Sequence, residues 1–223
     1  MSVLAICAHP DDETVGVGGT LLVHRARGED VYWLIITKGH SPTWSADVIH
    51  AKEKEVEAVA TAYGIKKYFW SALPSTLLDT VPVNDVIGEI RAVLLAVRPR
   101  LIYVVHHGDV HTDHQAVFRA ATIVMKPFYM RRYGIERLLS FESISSTDAA
   151  PPLHASAFLP NVFQDITPYI DRKLEIMNMY ATEAQPDPLP RGLSAIRALA
   201  RYRGAMIGVE YAEAFMLIRE CSP

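Results

Sequence analysis

Two cysteines, Cys7 and Cys221, are all that 223 residues carry. They are too few for a disulfide framework and read as thiols in a reducing compartment. No run of about 18 uncharged apolar residues occurs, which argues against a helical membrane span. The N-terminus lacks the charged and apolar regions of a signal peptide, so a cytoplasmic location is expected. Lys and Arg are scattered and the formal net charge is −3. Nothing resembles a nucleic-acid footprint, so no nucleic-acid partner is expected. Repeats and low-complexity tracts are missing. So are a Walker A loop and a G-x-S-x-G nucleophile elbow. The glycine segment Gly16–Gly19, "GVGG", is not the dinucleotide fingerprint G-x-G-x-x-G. The second strand ends in "IITKG", without the acidic residue that fingerprint needs.

What is present is a core. Half of the residues are hydrophobic, and residues 1–223 are read as one domain able to bury a substantial interior. Val3–Cys7, Val31–Thr37, a run from Lys66 and Leu101–Val105 are apolar and strand-like. Between them, Thr20–Arg27, Ala46–Tyr63 and Asn84–Val97 carry helical signals, with Gly28, Gly64 and Pro99 marking their ends. The alternation predicts an α/β fold, a Rossmann-like three-layer sandwich with a mostly parallel sheet. Later, Thr167–Pro168 opens a predicted helix through "YIDRKLEIMNMYA", Ser194–Tyr202 a second, and Glu213–Glu220 a strand expected at a sheet edge. The glycines of "GVGG" are expected to form a tight return into the helix at Thr20.

Charge gathers at two strand ends. His9, Asp11 and Asp12 follow the first strand, and "HHGDVHTDH" (His106–His114) follows the fourth. With Glu13, these loops hold five of the nine histidines and five carboxylates. Ligands of open α/β sheets bind outside the carboxyl ends of strands, and neighbouring strands would make these loops converge. Thr112, with Gln115 three residues on, reads as the capping box of a helix that holds His114 rigidly. His9, Asp12 and His114 then form a His₂Asp metal site with an open position, a pattern of catalytic zinc. Asp11 is placed to move a proton. His111, as an imidazolium, can stabilise an oxyanion, and Asp113 can orient His111 or His114. A phosphate loop and a purely structural polar network remain alternatives at this level. His107 is a further candidate for lining the site. Trp44 and Arg191 lie in segments suited to a substrate rim.

"AHPDDE" (Ala8–Glu13), "G-x-G-G-T" (Gly16–Thr20) and "H-x-D-H" (His111–His114) together resemble the LmbE-like, or PIG-L, family of zinc-dependent N-deacetylases. The likeness continues through "LPNVFQDIT" (Leu159–Thr167) and "RYRGAMIGVEYAEAF" (Arg201–Phe215). The resemblance implies one Zn²⁺ per subunit on His9, Asp12 and His114. Other divalent transition metals suit the same nitrogen and oxygen ligands. It implies Asp11 as general base, with His111 and Asp113 in support. The implied reaction is amide hydrolysis that frees acetate and an amine from a small N-acetylglucosamine conjugate. It also implies a homo-oligomer, hexamers being one form in the family. Two positions depart from the pattern. Lys52 stands where members often have a sugar-holding Arg, and Asp109 where some have a Tyr donor. Both are carried as substrate-contact candidates, with the ordering of a histidine as the alternative role of Asp109. Hydrolysis of a non-sugar amide or ester is the alternative reading. A non-catalytic sugar-binding protein is the alternative from another class.

Overall fold

The computed structural model describes residues 1–222. In chain order the elements are β1 (Ser2–Cys7), α1 (Asp12–Ala26), β2 (Asp30–Lys38), α2 (Ala46–Tyr63), β3 (Lys67–Pro74), α3 (Val83–Val97), β4 (Leu101–Val105), α4 (Thr112–Val124), α5 (Pro127–Tyr133), β5 (Arg137–Phe141), β6 (Val162–Asp165), α6 (Ile170–Met177), α7 (Leu193–Ala205) and β7 (Ala212–Glu220).

Seven strands form one sheet in the order β3-β2-β1-β4-β5-β7-β6. The first five are parallel. Helices α1, α2, α6 and α7 pack together as one layer, and α3 with α4 makes another. Strand β4 is buried at all five positions, and β1 from Val3 to Cys7, because helices cover both faces of a parallel sheet. Helix α2 starts where the Ser45 hydroxyl accepts from the Val48 N–H at 3.3 Å, and it stops at Gly64 with φ +64°. That glycine adopts the left-handed conformation other residues resist.

Two expectations are corrected. Glu213–Glu220 belongs to a strand that is not at the edge. It runs antiparallel between β5 and β6, and β6 forms the edge. The glycines near the N-terminus make no turn either, because α1 begins at Asp12, eight residues before Thr20. They lie inside the helix, where neighbours press against it. A Cβ on Gly16 would stand 2.1 Å from the Phe141 ring, one on Gly18 2.3 Å from the Tyr63 hydroxyl, and one on Gly19 2.7 Å from Ile166. Close packing accounts for "GVGG".

β1 and β4 are adjacent and parallel, so the loops after them meet. β1 leads to β2 on one side, whereas β4 lies on the other. This is the switch point at which open α/β sheets bind ligands.

Candidate active site

The loop after β1 is tied down by Asp12. Its Oδ2 accepts backbone N–H groups from Ala8 at 3.0 Å and His9 at 2.8 Å. Asp11 occupies the N-cap position of α1 with φ 115°, a left-handed-region backbone unusual for a residue with a side chain. Its carbonyl accepts from Thr14 and Val15, and its N–H donates to Glu13 Oε2. The strained turn places Asp11 and Asp12 side by side while their carboxylates meet different partners.

Asp12 Oδ1 lies 3.2 Å from His114 Nε2, and Oδ2 lies 3.8 Å from His9 Nδ1. One donor atom from each of the three residues falls within 4.8 Å of the others. The far nitrogen of each ring is held by its own carboxylate. His9 Nε2 is 2.9 Å from Asp113 Oδ2, and His114 Nδ1 is 2.5 Å from Asp109 Oδ2. Metal-binding histidines are commonly oriented this way, with one nitrogen on a carboxylate and the other turned to the ion. The donor set therefore fits a divalent transition metal such as zinc. A second grouping, His9, His111 and Asp113, is geometrically close. It fits less well, because Asp113 already accepts from the Thr76 N–H at 2.7 Å and the Leu78 N–H at 3.0 Å.

These contacts set the local charges. Burial disfavours a charged His114, but Asp12 and Asp109 outweigh it and push the ring's pKa up to about 10. Burial and the neighbouring charge of Asp12 push Asp11 well above the ordinary carboxylate range, with Glu183 adding to the rise and Arg191 opposing it. Burial, with His9 and His114 alongside, lowers His111 to about 4.

The His111 reading changes accordingly. At neutral pH it is an uncharged ring, not the expected imidazolium. His111, not Thr112, caps α4, its Nδ1 accepting the Asp113 N–H at 3.2 Å. Nε2 is thereby left as the ring's N–H donor. Gln115 donates to the Asp109 carbonyl rather than completing a capping box.

Asp113 is corrected as well. Its carboxylate holds His9 rather than His111 or His114, and it is fully buried, which makes it a positioning residue. Asp109 is fully buried behind His114, which sets aside the substrate contact and leaves its other expected role, the ordering of a histidine. Its Oδ1 has no partner among the described residues. His107 is exposed, its ring tilted against that of Phe118 with centroids 5.2 Å apart, and is not among the residues lining the cleft.

Trp44, Lys52 and Arg191 do line that cleft, a space of about 860 Å³ shared with His9, Asp11, Asp12, His111 and His114. Arg191 donates to Asp11 Oδ2 at 3.0 Å and to Glu183 Oε2 at 2.9 Å. Lys52 pairs with Glu55 at 2.9 Å and Glu183 at 2.8 Å. Glu183 escaped the sequence reading although it lies in the rim segment around Pro186–Pro190. A lone acid in a loop carries no spacing signal. The loop after β5 also reaches the cleft, with Ser143 Oγ 3.5 Å from Asp12 Oδ1, and was missed because β5 itself was.

The family model described as "PIG-L: GlcNAc-PI de-N-acetylase" matches residues 4–125, a span containing both metal-site loops. The chain is 22% identical over 190 residues to a probable N-acetyl-alpha-D-glucosaminyl L-malate deacetylase 2 of Bacillus anthracis, covering 81% of this chain and 80% of that one. It is 25% identical over 227 residues to the diacetylchitobiose deacetylase of Thermococcus kodakarensis, covering 97% and 82%. Among solved structures it is similar to a conserved protein of Thermus thermophilus, with TM-score 0.79 and 26% identity over 99% of this chain and 96% of that one.

Proposed function

The chain belongs to the PIG-L family of de-N-acetylases, and from that premise we propose that it removes the acetyl group from a small N-acetylglucosamine conjugate, with zinc held by His9, Asp12 and His114. One observation carries the proposal. A buried carboxylate faces two histidines, each oriented by its own carboxylate, with a second carboxylate, Asp11, beside them in the same cleft. A zinc ion held there would supply Lewis acidity and make water a better nucleophile near neutral pH.

The chain's own residues do the rest. Arg191 engages Asp11 Oδ2, so Oδ1 takes the proton of the attacking water. Burial and the neighbouring Asp12 raise the proton affinity of Asp11, so it holds a proton more firmly than a free carboxylate does. His111 donates its Nε2–H to the acetyl oxygen as that atom gains negative charge. A neutral ring can make this donation without itself changing charge. Asp11 then returns its proton to the amine nitrogen, the C–N bond breaks, and acetate departs. Asp113 and Asp109 hold His9 and His114 throughout and touch no reacting atom.

Assembly as a homo-oligomer and a cytoplasmic location belong to the same proposal. Light scattering of the purified chain tests the assembly. The reaction is tested by acetate release from N-acetylglucosamine, diacetylchitobiose, and nucleotide-linked and malate-linked N-acetylglucosamine. Release from at least one, abolished by a chelator and restored by zinc, is the expected result. Turnover of a non-sugar amide or ester, with none of these sugars hydrolysed, would move the protein to the alternative reading.

A further inference from the structure

Malate adds carboxylates to a sugar, whereas a second sugar ring adds no charge. The cleft carries features that choose between such substrates. Among the described residues, Lys38, Lys52 and Arg191 are the lysines and arginines that line it. Each already faces a carboxylate. Lys38 Nζ is 2.6 Å from Glu53. Lys52 is held by Glu55 and Glu183, and Arg191 by Asp11 and Glu183. Glu183 thus bridges Lys52 and Arg191, the latter in contact with Asp11. An anionic substituent arriving there must displace a carboxylate or sit beside one, and like charges in a confined site are costly.

The remaining wall mixes hydroxyl groups, such as those of Ser75, Thr76, Ser143 and Ser146, with a set of apolar side chains. Trp44, Val48, Ile49, Trp70, Val110 and Ile144 line the same cleft. Val48 and Val110 are 40% and 51% exposed, so apolar side chains stand in water where a ligand would cover them. Lys38 and Lys52 also lie over aromatic rings, 5.2 Å from the centroid of Trp70 and 5.5 Å from that of Tyr180. This further occupies the cations.

Resting on the deacetylase reading, we infer that the site selects N-acetylated glycosides whose other substituent is uncharged and apolar, and selects against those bearing a carboxylate or phosphate there. The probes are 4-methylphenyl and 4-carboxyphenyl N-acetylglucosaminides, in both anomers, which differ in charge at one group. With the metal-loaded protein, kcat/KM for the methylphenyl compound is expected to exceed that for the carboxyphenyl compound by about tenfold or more. Glu183→Gln, by freeing Lys52 and Arg191 from their shared acid, should narrow that ratio by raising the value for the anion. A purely structural role for Glu183 would lower both values together. Calorimetry with the chelated protein should give Kd values in the same order. Equal values, or tighter binding and faster turnover of the carboxylate, would overturn the inference. Acetate from neither compound while a sugar of the panel is turned over would also overturn the inference; acetate from none of them, with metal content confirmed, would instead overturn the deacetylase reading on which it rests.

Discussion

Asp109 and Asp113 act from behind the rings they hold. Both are fully buried, and each fixes one nitrogen of a metal-site histidine. Removing either frees a ring to rotate and removes the carboxylate that makes its other nitrogen a stronger donor. Asp109→Ala and Asp113→Ala should each weaken metal binding by about 10–100-fold, read by competition with a chelating dye. The Asn variants, which keep an oxygen acceptor, should lose less. Unchanged affinity in both Ala variants, with circular dichroism confirming the fold, would contradict their positioning role. The residue types and spacing of His9, Asp12 and His114 were legible in the sequence because they sit just past two apolar strands. The partner of each histidine was less so: Asp113 was matched to other rings than His9, and for Asp109 a substrate contact and the ordering of a histidine both stood open until the loop is seen to fold under His114.

The elements show a similar division. β1, β2, β4, α2 and α3 are legible since continuous apolar runs and a helical period leave little choice. β5, RLLSF, and β6, VFQD, carry neither the continuous apolar run of β4 nor a clear alternation. Helix α1 defied its own propensities. Three glycines discourage a helix, yet tertiary packing against Phe141, Tyr63 and Ile166 overrides that. Gly16→Ala should therefore destabilise the protein by about 1–3 kcal/mol, since the new methyl group meets a buried ring and the Glu142 carbonyl. Gly88 in α3 is the control. A Cβ there meets nothing within 4 Å, so Gly88→Ala should stabilise by about 0.4–1 kcal/mol. Urea denaturation of the two variants checks both signs. A Gly16→Ala protein as stable as the parent would remove the packing explanation for "GVGG".

Over the whole molecule, sheet order brings the two loops together, and charge then links metal uptake to protons. Without metal, His114 is held charged between Asp12 and Asp109 up to about pH 10. A ligand nitrogen must give up its proton to bind an ion. Zinc uptake at neutral pH should release about one proton from His114, and affinity should rise with pH toward about 10. Titration calorimetry in two buffers of different ionisation enthalpy measures that proton, and identical heats in both would exclude it. The same shift has a stability sign. His114 in the metal-free fold has a pKa above its unfolded value of about 6.5. Its stabilisation is complete below that pH and fades as pH rises through about 10.

The most direct test of the account compares the parent with Asp11→Ala at equal zinc content, using acetate release from the best substrate of the sugar panel. Asp11 faces the cleft without belonging to the ligand set, so the variant should bind zinc as the parent does. Its acetate release should fall by about 10²–10⁴-fold. Full zinc-dependent release by Asp11→Ala would contradict the claim that this carboxylate carries the proton from water to the departing amine.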